Sequence, residues 1–186
     1  MKKEEFKMIK KISVFTIIFL LFFTINISAQ NLEKGINKFQ IANYQEALNY
    51  LRNYVEENSE NYQGHYYLGL TYSRLGDYDQ ALNSFNKAYK LNEDNYKVMV
   101  NLGRTHYHLQ NFSQAKEILS KAKDKNNIDD QVFNLLGLIS MNNNQYNLAI
   151  ENFNKALDYN KTNYYIYNNL GYRSEEHTSE LQSLSH

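Results

Sequence analysis

His106 and His108, and further along Asp129 and Asp130, are side chains of the types that could hold a metal or move a proton. Two residues apart on a helix point in different directions, so the histidine pair cannot jointly grip an ion. The adjacent aspartates stand at a helix start, where they complement the positive end of the dipole. His65 falls beside a hydrophobic stripe and is expected to pack. No glycine-rich phosphate loop and no serine nucleophile elbow is present. The chain has no cysteine, which removes disulfides, thiolate metal sites and thiol catalysis. Its 17 tyrosines follow apolar stripes and do not alternate with basic residues as a nucleic-acid strip would. Basic and acidic residues balance at 20 each, so no global field draws the chain toward nucleic acid or anionic lipid. The expectation is a chain without a catalytic site, metal or cofactor.

What remains is the framework that would carry these residues, and it repeats. Gly35, Gly69, Gly103, Gly137 and Gly171 are each 34 residues apart. So are Ala47, Ala81, Ala115 and Ala149, and the aromatics Tyr44, Tyr78, Phe112 and Tyr146. Tyr54, Ala88, Ala122 and Ala156 keep the same interval. Within one unit, Leu68, Tyr72 and Leu75 line one face of a first helix, and Ala81, Phe85 and Ala88 line one face of a second. Gly76 and Asp77 mark the turn between them. Small residues such as Gly69 and Ala81 are expected to let the two helices approach closely. The chain lacks proline, so helix ends fall to Asn-rich stretches such as "NEDN", "KNNIDD" and "NKTN". There Asn is expected to take a left-handed cap, and Asp or Asn to open the next helix.

The 34-residue period, with "YLGLTY" in the first helix and "DYDQALNSFNKA" in the second, resembles the tetratricopeptide repeat (TPR). The resemblance covers four complete copies, 28–61, 62–95, 96–129 and 130–163, and a partial fifth at 164–172. The family's frequent proline after the second helix is replaced by Ser59, Glu93, Asn127 and Lys161, and the first copy has Lys34 where later copies have leucine. The resemblance implies an all-α, right-handed solenoid of stacked antiparallel helix pairs, whose first helices line a concave groove that holds peptides or helices of partner proteins. Carried over by register, that groove comprises Tyr66, Tyr67, Leu70 and Arg74 in the second copy and Lys97, Asn101, Arg104, Tyr107 and His108 in the third. The fourth contributes Asn134, Leu138, Met141 and Asn142. Tyrosine and amide side chains suit an extended peptide. Some TPR domains clamp acidic C-terminal tails with Lys and Asn spread over three copies. Here the corresponding positions hold Leu32, Ile36, Tyr67, Lys97 and Asn101, of which only the last two fit, so that role is disfavoured.

The two ends carry their own expectations. "MKKEEFKMIKKISVFTIIFLLFFTINISAQ" has a basic start, an apolar run and a small-residue exit, the parts of a secretory signal peptide cleaved after Ala29. The mature protein is then exported, periplasmic or secreted, with no stable insertion in the membrane. From Arg173 the vocabulary changes: "RSEEHTSELQSLSH" has no Asn, Lys, Ile or Tyr. It resembles the translation of a sequencing-adapter oligonucleotide, so 173–186 is expected to be a non-native tail. The fourth copy is expected to turn Leu148, Phe153 and Leu157 toward whatever follows, with only "TNYYIYNNLGY" to cover them. The leading functional expectation is an exported scaffold for protein or peptide partners. The alternative is the N-terminal sensory or docking part of a longer, membrane-associated signalling or enzymatic protein.

Overall fold

The computed structural model describes residues 30–125 and 129–171. The expected signal peptide (1–29) and the tail from Arg173 lie outside them. All regular structure among the described residues is helical, as the periodicity predicts. The helices are α1 (30–40), α2 (Tyr44–Glu57), α3 (Tyr62–Leu75), α4 (Tyr78–Leu91) and α5 (Tyr96–His108), then α6 (Phe112–Lys125), α7 (Asp130–Asn142), α8 (Tyr146–Tyr159) and α9 (164–171). They form two compact units that part between Asp77 and Tyr78, inside the turn of the second copy.

Helix starts follow the polar signals in the sequence. Asn43, Asn61, Asn95 and Asp129 each precede a helix, and their side chains accept from the backbone N–H of Glu46, Gly64, Val98 and Gln131. This satisfies donors that the first turn leaves without partners. The left-handed residues do not fall where the sequence placed them. Asn58 and Asn160, in the Asn-rich linkers, have φ of −131° and −141°. The left-handed positions are Ala42, Gly76, Gln110 and Asn144, with φ of 59°, 82°, 59° and 57°. These are 34 residues apart, inside the helix pairs. At each, the following N–H reaches back across the turn: Asn43 to Lys38 O, Asp77 to Tyr72 O, Asn111 to His106 O and Gln145 to Ser140 O, at 2.8–3.0 Å. This is a Schellman closure, and its geometry requires the left-handed residue whatever the side chain. Only one of the four is glycine. Gln110→Gly should therefore stabilise by about 1 kcal/mol by removing the Cβ clash of that conformation. A melting temperature at or below the parent's would refute the strain assigned there.

Packing uses the small residues in a specific way. Ala47, Ala81, Ala115 and Ala149 are fully buried, as are Ala88, Ala122 and Ala156. At Gly35, Gly103 and Gly137 the room left by the missing side chain is filled by the residue sixteen positions on, from the second helix. A Cβ on Gly35 would lie 2.7 Å from Leu51 Cγ, on Gly103 2.6 Å from Leu119 Cγ, and on Gly137 2.5 Å from Phe153 Cε1. The first unit centres on Ala47, Leu51 and Leu68, with Leu32, Phe39, Leu48, Val55, Tyr67 and Tyr72 packed around them. In the second unit α5 packs against α4, α6 and α7, and α7 against α6 and α8. Phe133, Ala149, Phe153, Ala156 and Ile166 form a cluster there, flanked by Leu138, Met141, Leu157 and Leu170. The short α9 thus covers more of the fourth copy than its length suggested. Ile166 and Phe153 are fully buried, while Leu148 stays 38% exposed.

Candidate functional site

Lys97, Asn101, Arg104 and His108 recur at spacings of four, three and four on α5, which sets them on one stripe of that helix. Hydrogen bonds tie this stripe together. Asn101 Nδ2 donates to the Lys97 carbonyl at 2.8 Å, and Arg104 donates to Asn101 Oδ1 at 3.1 Å. The same guanidinium reaches the next copy and donates to Gln131 Oε1 on α7 at 2.6 Å. A second tie runs from Asn142 Nδ2, which donates to the Leu138 carbonyl at 2.9 Å and approaches Tyr107 Oη at 3.5 Å. A third joins α7 to α9, where Asn169 Nδ2 donates to Asn134 Oδ1 at 3.0 Å. The first helices of successive copies in the second unit are therefore linked by amide and guanidinium side chains along the polar stripe that the register had singled out.

Two histidines bear on this face differently. His108 is exposed, stacks on Tyr78 at 4.4 Å with rings 10° apart, and meets Tyr107 edge-on. Desolvation of the side of the ring packed on its neighbours, and then the positive Arg104, hold its pKa below the usual imidazole value. His106 takes the register of Tyr72, as expected, and its buried Nδ1 makes no hydrogen bond. Burial alone depresses its pKa. A depressed histidine pKa favours the neutral ring in the folded state, so its stabilising contribution is present above the unfolded value near 6.5 and lost as pH falls through the folded value. Glu46, Glu117 and Glu151, lowered by lysine partners, add their own losses only below their ordinary value of 4.5. Melting temperature is thus expected to fall as pH drops below roughly 6.5, and His106→Phe should flatten that slope. An unchanged slope would remove His106 from the acid response.

The remaining candidates divide by unit. On α3, in the first unit, Tyr66 meets Tyr67 edge-on at 5.5 Å, and Tyr67 meets Phe39 at 6.0 Å while packing on the Leu51–Leu68 core. Leu70 is half-buried and Arg74 is exposed in the last turn. In the second unit Leu138 and Met141 are half-buried against the Phe133–Phe153 cluster, so much of their surface serves packing. His65 Nε2 donates to the Ser59 carbonyl at 2.8 Å, a structural contact. Sequence reasoning missed Gln131 and Asn169. Gln131 lies 34 residues after Lys97, so the register could have found it, but Lys and Gln differ in chemistry and the link was not evident.

The carboxylates lie elsewhere. Asp130 Oδ2 accepts from Asn160 Nδ2 at 3.0 Å and Asn163 Nδ2 at 2.9 Å, fixing the start of α7 to the α8–α9 connection. Tyr96 has its phenol pushed well up, first by burial and then by the nearby Asp129 and Asp130. Among the described residues no group of three His, Cys, Asp or Glu side chains could hold a metal ion, and no helix is long and apolar enough to cross a membrane.

A family model described as the TPR domain of cytochrome c-type biogenesis protein H matches residues 26–164. Among solved structures, MamA from Desulfovibrio magneticus RS-1, from residue 41 to its end, is 20% identical with a TM-score of 0.75, over 85% of this chain and 89% of that one. PilF of Pseudomonas aeruginosa is 20% identical with a TM-score of 0.71, over 83% and 70%. A chain of the APC/C hetero-tetramer Cut9–Hcn1 is 22% identical with a TM-score of 0.71, over 80% of this chain and 30% of its own. These likenesses show the fold. No curated protein matches the sequence. The unbroken 34-residue register, the helix pairs with glycine set against a large partner residue, and a family match over most of the chain lead to one conclusion: the protein belongs to the family of the cytochrome c-type biogenesis protein H TPR domain.

Proposed function

We propose that the protein is an exported, non-enzymatic scaffold that holds an extended segment of another protein on the face formed by α5, α7 and α9. The observation that carries this reading is the polar stripe itself. Lys97, Asn101, Arg104, Asn134 and Asn142 share one face of the second unit, and Arg104, Asn134 and Asn142 are held in position by contacts from helix to helix. A peptide backbone needs donors and acceptors at fixed places, and pre-positioned amides supply both without an ordering cost at binding. Tyr107 and the His108–Tyr78 stack add flat aromatic area beside the stripe. On α3, Tyr66, Tyr67, Leu70 and Arg74 are the candidates of the first unit. The basic, apolar and small-residue order of residues 1–29 supports export, and the family's description from a cytochrome c biogenesis protein accords with a role outside the cytoplasm.

Peptides selected from a random displayed library on the full chain provide the test. Their affinity should drop at least about tenfold, ~1.4 kcal/mol, in Arg104→Ala and in the double change Asn134→Ala with Asn142→Ala. Selected peptides that bind these variants as well as the parent would place the site elsewhere. For export, the N-terminus of protein recovered outside the cytoplasm should be Gln30.

A further inference from the structure

We propose that the α5–α7 face takes an extended acidic segment of its partner, with side-chain carboxylates about three residues apart set against Lys97 and Arg104. This rests on the peptide-binding reading above and goes further by naming what the peptide must carry.

The first observation is how carboxylates divide between helices. The chain is neutral overall, but its carboxylates are not spread evenly. In the second unit α5 and α9 contain no Asp or Glu, and α7 contains only Asp130. That one carboxylate is engaged by Asn160 and Asn163 at the α8–α9 connection. The second helices carry the acids instead: Asp79 on α4, Glu117 and Asp124 on α6, Glu151 and Asp158 on α8. Glu117 and Glu151 pair with Lys121 and Lys155 one turn away on their own helices. Asp94, in the turn before α5, pairs with Lys125 of α6. A ligand lying along α5 and α7 therefore meets lysine, arginine and amides on its side of the unit, and complementary charge is what such a surface selects.

The second observation is spacing. Lys97 and Arg104 are seven residues apart on one helix stripe, about 10 Å along the axis. An extended chain in the polyproline II conformation advances about 3.1 Å per residue with three residues per turn, so every third side chain returns to the same face after about 9 Å. A single terminal carboxylate would engage only one of the two cations, whereas Glu-x-x-Glu engages both. The third observation is orientation. Arg104 is held by the amide oxygens of Asn101 and Gln131, which direct the guanidinium without contributing charge of their own. Asn134 and Asn142 on α7 then lie alongside for the backbone between the acidic residues.

The experiment is fluorescence anisotropy of the full chain with labelled twelve-residue peptides, acetylated and amidated at their ends. One carries Glu at every third position among Ser and Ala, and a second carries Gln there. A third is the Gln peptide with a free C-terminal carboxylate. The Glu peptide should bind at least about tenfold more tightly than either Gln peptide, and added salt should weaken it. Lys97→Gln and Arg104→Gln should each cost severalfold, and Arg104→Lys should keep most of the affinity. Lys97 is exposed, so Lys97→Gln keeps the test valid if Arg104→Gln disturbs folding. Equal binding of Glu and Gln peptides, no binding of the Glu peptide, or binding that depends on the free terminus would each overturn the proposal. If library-selected peptides remain sensitive to Asn134 and Asn142 but indifferent to Glu against Gln, the acidic preference fails while the peptide-binding reading stands. If no peptide responds to any substitution on α5 or α7, both fail.

Discussion

Phe153→Ala is expected to destabilise the second unit by about 3–5 kcal/mol, the range for emptying a buried aromatic site. Phe153 is fully buried and packs with Phe133, Ala149, Ala156 and Ile166, so three helices, α7, α8 and α9, lose contacts at once. The backbone around it cannot collapse easily, because α7 and α8 are already close across Gly137. In a chain of this size each kcal/mol is worth about 2–4 °C, so melting should fall by roughly 6–20 °C. The loss should also spread to α9, whose only fully buried side chain among the described residues is Ile166 of the same cluster. Hydrogen exchange should show α9 amides losing protection along with those of α8. A melting temperature within two or three degrees of the parent's would contradict the packing assigned to this residue.

Gly137→Val is the complementary case. Glycine in mid-helix normally costs about 1 kcal/mol relative to alanine, so replacement would help if space allowed. Here a Cβ would lie 2.5 Å from Phe153 Cε1 and 2.6 Å from Cδ1, and the ring has nowhere to go. The expected outcome is a loss of about 3 kcal/mol or more, at the upper end of overpacking effects. The two changes should not add. With Phe153→Ala in place, a side chain at Gly137 enters the vacated volume and regains helix propensity. The double variant should therefore be more stable than the sum of the single changes predicts, with a coupling of roughly 1–3 kcal/mol. Denaturant unfolding of all four proteins in the cycle gives that number directly. Strict additivity would mean that Gly137 and Phe153 do not compete for one space.

Much of the framework could be read in the chain because it repeats without gaps. The alanine series lands on fully buried positions, and Gly35, Gly103 and Gly137 land where a second-helix residue needs room. Three things were hidden, each for a physical reason. The left-handed turn residue recurs at every 34th position, but three of the four occupants are Ala42, Gln110 and Asn144. The Schellman hydrogen bonds impose the conformation there, and residue type does not announce it. The side-chain ties between copies were hidden because Asn is abundant throughout. Nothing in the sequence separates Asn134 and Asn169, which bond each other, from the asparagines that cap helices. The division into two units was also invisible, since the 34-residue register runs unbroken through Gly76 and Asp77. Of the candidate face, the α5 stripe followed from the register that the tetratricopeptide-repeat resemblance implies. Which of its residues reach α7 depended on side-chain length, and only geometry supplies that.

The ties between first helices also bear on how such a gene can change. Tyr107–Asn142 and Asn134–Asn169 each link residues 35 apart, close to the 34-residue repeat that sets the glycine and alanine series. A duplication or deletion of one whole copy keeps the helix register and leaves each glycine sixteen residues before its large partner. An in-frame change of any other length rotates the following helix, putting apolar side chains where amides should meet and amides into the core. Recombination can therefore lengthen or shorten this face only in whole steps of one helix pair, so variation in ligand length should arise between relatives by copy number rather than by gradual drift.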